Sequence, residues 1–312
     1  MLTRRRRSTR PWRYAPLSES RTSKMRWRQR LVELCWALAV VCVPAWAAPL
    51  PAEVSIPAAG SSSSPEPLRA HLFAPEGPGP HPAVVMLHGC GGAYARDGSL
   101  NARHRMWGEF LAEHGYVALM LDSLSARGIR ELCTQKFAER SLKEADRRGD
   151  AYAALTWLRE RPDVDGLRIG LLGWSHGGGV TLDAITHPPK AGDGFAAAVA
   201  FYPGCTSKAA RASRFHPYAP LLLLIGEADD WTPAAPCQQL AQAVVARGEP
   251  MQIVVYPGTF HDFDNPALTR KRVRRDVPNG VNPGQGVTTA PNPEAREDAK
   301  LRVLGFFSEH LQ

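Results

Sequence analysis

One stretch constrains this chain more than any other. The apolar run Ile169-Gly-Leu-Leu-Gly173 passes directly into Trp174-Ser-His-Gly-Gly-Gly179. It reads as a short buried strand, a sharp turn and a helix that starts near Gly177. Gly173-Trp174-Ser175-His176-Gly177 fits the pattern G-x-S-x-G, and the chemistry explains the spacing. A serine on a strained turn at a strand's end points its hydroxyl into open space. Flanking glycines let strand and helix backbones approach closely. The N–H of His176 is then available to a developing oxyanion, helped by the positive end of the helix.

A turn of this kind needs a strand–helix layer around it, and the rest of the chain supplies one. Ala83–Leu87, Tyr116–Leu121, Phe195–Tyr202, Leu221–Ile225 and Met251–Tyr256 read as strands, most of them wholly apolar. Between them, residues 104–114, 141–158 and 232–247 have helical spacing, closed by Gly115, by Arg161-Pro162 and by Gly248. A last helix opens at Asn292-Pro293, with Ala295, Ala299, Val303 and Phe306 on one face. Apolar strands alternating with amphipathic helices imply an α/β class with a mostly parallel sheet covered by helices on both faces. Leu68–Phe73 alternates and is expected as a further strand. No internal repeat and no domain boundary shows after residue 67.

The net charge of +8 misleads. Residues 1–47 hold 11 Lys/Arg against 2 Asp/Glu, and the remainder is nearly neutral at 27 against 28. The basic balance therefore belongs to a leader and points to no nucleic-acid partner. That leader has a basic segment at Met25–Arg30, an apolar core at Leu34–Val43 and a small-x-small site at Ala45-Trp-Ala47. It is expected to be a secretory signal peptide cleaved after Ala47, with Met25 as an alternative start, and the protein to be exported. The apolar core is well short of the roughly 20 residues of a membrane span, so none is expected. Residues 48–66, with Ser61–Ser64 at their centre, read as a flexible lead-in grazed by an edge strand at Glu53–Ile56. Residues 67–312 form the expected domain.

Two further parts complete a site. The strand Leu221–Ile225 runs into Gly226-Glu-Ala-Asp-Asp-Trp-Thr-Pro233, where Asp229, or alternatively Asp230, can orient a histidine. The last strand ends in Tyr256-Pro-Gly-Thr-Phe-His261, which puts His261 on a loop free to reach the serine. Ser, then acid, then His is the chain order of the α/β-hydrolase fold. Leu87-His-Gly-Cys-Gly-Gly92 follows a buried strand and can supply a second oxyanion donor. That donor is the N–H of Cys90, or that of Gly91. Ser175, Asp229 and His261 are thus the candidate catalytic residues, and Cys90 and His176 the candidate oxyanion hole. The chemistry implied is acyl transfer from a small-molecule ester or lactone to serine and then to water, which needs no cofactor. No cluster of His, Cys or Asp has metal-ligand spacing. The rival from another class is a catalytically silent chain of the same fold that binds a ligand or partner.

The sequences LHGCGG at 87–92, GWSHGG at 173–178, IGEADDWTP at 225–233 and YPGTFHDFDNP at 256–266 resemble the dienelactone hydrolase family over about residues 67–312. Founding members of that family use a cysteine nucleophile and a glutamate just after the third strand. Here Ser175 stands in the cysteine's place and the HGCGG loop lacks the glutamate. The resemblance therefore implies general carboxylic-ester or lactone hydrolysis. It also implies that Arg127, in Leu121-Asp-Ser-Leu-Ser-Ala-Arg127-Gly, lines the pocket and grips a substrate carboxylate. Four cysteines follow the leader, an even number. In this fold the strands before Cys90 and Cys133 are neighbours, as are those before Cys205 and Cys237, so those two pairs are the expected disulfides. The long segment 264–291, with Arg270-Lys-Arg-Val-Arg-Arg275, is either a solvated charge run or a mobile flap beside the pocket.

Overall fold

Val84–Leu87 carries no polar side chain, so its strand can only sit with both faces covered. In the computed structural model, which describes residues 51–58, 64, 66–189 and 194–311, all four are fully buried at the centre of an eight-stranded sheet. The strands are β1 (Ala52–Ile56), β2 (Leu68–Phe73), β3 (His81–Leu87), β4 (Val117–Asp122), β5 (Val164–Trp174), β6 (Ala197–Phe201), β7 (Leu221–Gly226) and β8 (Met251–Tyr256). Their order is β1-β2-β4-β3-β5-β6-β7-β8. From β4 across to β8 every pair is parallel, while β1–β2 and β2–β4 are antiparallel. The signal peptide expected over residues 1–47 lies outside the described residues.

Helices α1 (Ala102–Glu113), α2 (Glu144–Arg159), α3 (His176–Ala184), α4 (Thr206–Ala209), α5 (Ala234–Val245) and α6 (Pro293–His310) complete the layers. Two glycines of β5 show both faces in use. A Cβ on Gly170 would land 2.8 Å from Phe307 of α6, and one on Gly173 would land 2.3 Å from the Gly177 carbonyl of α3. Residues three apart on a strand face opposite ways, so α6 and α3 cover opposite faces. Among the described residues no helix is long and apolar enough to cross a membrane.

The sheet's order reverses at β3. The chain leaves β3 for β4 on one side, then crosses back to place β5 on the other. Such a switch point opens a crevice beyond the strands' C-terminal ends, between the loop after β3 and the turn after β5. Residues 52–56 pair along their whole length with β2, so the lead-in carries a full edge strand. Segment 264–291 keeps its charge run 270–275 largely exposed to solvent, yet it has structure of its own. It folds into a hairpin of β9 (Arg272–Arg274) and β10 (Val287–Thr289), and buries Val277 and Val287 beside Leu124, Leu132, Leu142 and Trp231. This second apolar cluster also holds Cys90 and Cys133. The disulfides join Cys90 to Cys133 and Cys205 to Cys237, in the expected pairing.

Candidate active site

Ser175 ends β5 with φ 53° and ψ −113°, a conformation rare for a residue with a Cβ. The surroundings enforce it. The Ser175 N–H donates to the Phe201 carbonyl at 2.9 Å, and its own carbonyl accepts the first bond of α3, from Gly179. A Cβ on Gly177 would sit 2.1 Å from the Leu87 carbonyl, so only glycine lets α3 start this close to β3. The elbow thus pushes the serine side chain out over the end of the sheet.

His261 follows β8 on a loop held by the β10 hairpin, with Ala290 N–H donating to its carbonyl. Its Nε2 lies 3.0 Å from Ser175 Oγ and its Nδ1 lies 2.7 Å from Asp229 Oδ2. Asp229 and His261 are both buried, and the imidazole is flanked by the rings of Tyr202 and Trp231 at 4.4 and 4.6 Å. The other oxygen of Asp229 accepts the Trp231 and Thr232 N–H groups, and Thr232 Oγ1 donates to Oδ2. A carboxylate with this many donors keeps its orientation. Asp230 turns the other way. It accepts the N–H and hydroxyl of Thr288, both at 2.7 Å, and so ties the hairpin to the acid loop.

Cys90 and His176 flank the serine on the β3 loop and at the first turn of α3. The first N–H groups of a helix have no partner within it, so that of His176 is free of the α3 ladder. Beneath both lies a residue the sequence reading missed. Arg147 of α2 is fully buried and donates to the His88 carbonyl at 2.8 Å, and its Nη1 is 3.0 Å from His176 Nδ1. Burial pulls its pKa down to about 10, with the carboxylates of Asp150 and Asp122 pulling the other way. The guanidinium stays a cation at neutral pH. Burial, reinforced by this charge, drives the pKa values of His88 and His176 well below the ordinary histidine value, so both rings are neutral. The signal was present as a cation in register with Ala151, Leu155 and Leu158 on the apolar stripe of its helix.

A second buried cation supports the histidine loop. Arg103 donates to Tyr202 Oη at 2.9 Å and pairs with Asp262, directly after His261. Tyr202, Trp107 and Trp174 all donate to the carboxylate of Asp264, whose pKa burial raises. These bonds fix the backbone that follows the imidazole.

Arg127 does not line the site, and here the expectation is corrected. It closes a short 3₁₀ turn and its guanidinium makes two bonds of 2.9 Å to the carboxylate of Asp150, which is wholly buried on α2. A third bond goes to the Ser123 carbonyl. The planar fork is engaged by the protein's own carboxylate. The cleft over Ser175 and His261, about 570 Å³, takes its cations from elsewhere: Arg96, Arg103, and Arg272, Arg274 and Arg275 on or beside the hairpin. Among the described residues no group of His, Cys, Asp and Glu could hold a metal ion.

The chain matches the family model described as the dienelactone hydrolase family over residues 68–311. An uncharacterized protein of Mycobacterium tuberculosis is 32% identical over 150 residues, which is 41% of this chain. The match covers 49% of that relative, so the chain spans about half its length. Among solved structures, the dienelactone hydrolase from Anabaena variabilis superposes with a TM-score of 0.59 at 20% identity, covering 85% of this chain and 100% of that one. Esterase 2 of Thermogutta terrifontis, phosphorylated by paraoxon, superposes with a TM-score of 0.58 at 19% identity over 82% and 92% of the two chains. At these identities the superpositions establish a shared fold.

Proposed function

Because this chain belongs to the dienelactone hydrolase family, we propose that it is a serine hydrolase that cleaves carboxylic esters or lactones through an acyl-enzyme. The observation that carries the reading is the unbroken relay Ser175 Oγ, His261 Nε2, His261 Nδ1 and Asp229 Oδ2, with gaps of 3.0 and 2.7 Å. His261 takes the hydroxyl proton as Ser175 Oγ attacks the acyl carbon. The carbonyl oxygen becomes an oxyanion, held by the N–H groups of Cys90 and His176. The intermediate collapses, His261 returns the proton to the departing alkoxide, and the alcohol leaves. Water then repeats the sequence on the acyl-serine and regenerates the hydroxyl. Asp229 holds Nδ1–H in place, keeps Nε2 as the base and balances the imidazolium.

The catalytic domain is residues 67–312 in this reading. Two disulfides support an exported setting, since such bonds persist in oxidising compartments. The test is kinetic. Ser175→Ala and His261→Ala should each cost several orders of magnitude in kcat on short acyl esters, and the double variant should cost little more than either. Retention of a tenth of wild-type activity by Ser175→Ala on every ester tried overturns the reading.

A further inference from the structure

Two clefts share Trp231 as a wall. One is the arginine-bearing cleft beneath the hairpin. The other lies beyond Trp231 and has a volume of about 700 Å³; Phe137, Leu142, Ala210, Trp231 and Pro233 form its apolar wall, with the charged Arg140, Lys143, Glu144 and Asp183 also on its lining. A narrow passage of about 30 Å³ lies between it and Ser175, bounded by Cys90, His176, Gly204 and Thr232 and by the charged Arg140 and Glu144. Phe137 stands at the rim, 54% exposed, with the Arg140 guanidinium 4.4 Å over its ring. A large ring left open to solvent beside an apolar wall is available to a ligand.

Gly204 stands in the passage, and nothing in the protein's own packing calls for glycine there. Gly173 and Gly177 are forced, because a Cβ on either would collide with backbone. At Gly204 the φ angle lies outside the left-handed region, and an added Cβ would meet nothing nearer than Thr232 Cγ2, at 4.0 Å. Alanine or a larger residue would fit the backbone, but its side chain would stand in the passage. The missing side chain therefore serves the opening itself.

We propose that Gly204 is a specificity-determining position that opens a passage from Ser175 to the second cleft, which takes the apolar half of a bulky, two-sided ester. The polar half of the same substrate lies in the arginine-bearing cleft. This rests on the serine-hydrolase reading above and deepens it to a substrate class: esters joining an aromatic or similarly large apolar group to a polar one.

The test uses two ester pairs with a constant polar half, glyceryl monobenzoate against glyceryl monoacetate and benzyl glycerate against methyl glycerate. The two pairs put the apolar group on the acyl side and on the alcohol side. In wild type, one pair should favour the aromatic ester in kcat/KM. Gly204→Leu should lower that aromatic-to-small ratio by at least about tenfold, as steric discrimination in a pocket allows. Phe137→Ala, a change at an exposed side chain, should lower the same ratio severalfold and keeps the test decisive should Gly204→Leu misfold. Ratios held within about twofold by both variants in both pairs overturn the proposal. Failure of the underlying reading looks different: wild type turns over none of the four esters and Ser175 takes no label from a fluorophosphonate.

Discussion

The guanidinium of Arg147 lies 2.8 Å from the carbonyl oxygen of His88 and 3.0 Å from the ring of His176. One buried cation thus holds both segments that carry the proposed oxyanion donors. Hydrogen bonds from a charged donor contribute about 1.5–3 kcal/mol. Arg147→Met should lower kcat roughly 10- to 100-fold for each reactive site, with KM for a small ester little changed. Active sites are counted by fluorophosphonate titration, which separates slow enzyme from unfolded enzyme. A loss confined to the number of sites would reduce Arg147 to a packing residue.

Asp229 and Asp230 are adjacent, but their carboxylates serve different partners, His261 and Thr288. Asp229→Asn should drop kcat about 10³- to 10⁴-fold by favouring the wrong imidazole tautomer. Asp230→Asn should lower kcat far less and mainly raise KM, because it loosens the hairpin that roofs the cleft and bears on the His261 loop only indirectly. Steady-state kinetics on one ester separates the two. Equal losses in kcat would contradict the division of labour.

Arg127 and Asp150 form a bidentate ion pair with little access to water. Removing one partner of a buried pair strands the other, at about 3–5 kcal/mol. Arg127→Met should therefore lower the unfolding midpoint markedly. Any change in kcat/KM should be the same for an acidic lactone and its methyl ester. A loss confined to the acidic substrate would restore the carboxylate-gripping role.

How far the sequence was readable depended on how local each signal was. The elbow is spelled out by five consecutive residues, and the acid and histidine each follow an apolar strand, so chain order alone assembled Ser175, Asp229 and His261. Of the two adjacent acids on that loop, Asp229 is the one whose carboxylate meets His261. Arg127 misled because its partner sits 23 residues away on α2, a contact only the fold creates. The hairpin was hidden because Arg272-Val-Arg274 offers one exposed valine and no apolar period. Helix α4 is four residues long, below any periodicity. The second cleft draws its wall from several separate segments of chain, so no window could show it.

Three buried histidines set a pH dependence of stability. Burial first, then the charge of Arg147 or Arg103, holds His88, His104 and His176 well below the ordinary value of 6.5. Below about pH 6.5 the unfolded chain binds protons that the folded one refuses, so stability falls with pH until the folded pKa values are reached. Above 6.5 these groups add no slope. Each contributes up to about 1.4 kcal/mol per pH unit. Asp264, raised by burial, acts in the opposite sense towards the acid end. Urea unfolding should give at least about 2 kcal/mol less stability at pH 5.5 than at pH 7.5. Equal stability at the two values would mean that the rings are solvated in the folded state.

If Ser175 is the nucleophile, a covalent acyl-serine forms at position 175 and can be trapped. The enzyme is mixed with p-nitrophenyl acetate, quenched in acid within the first turnover, digested and mapped by mass spectrometry. A burst of p-nitrophenol should match the number of active sites, with one acetyl group on Ser175. In His261→Ala both the burst and the adduct should vanish, although Ser175 is intact. Hydrolysis at the wild-type rate with no acetyl group on Ser175, or with the group on another residue, would rule out Ser175 as the nucleophile.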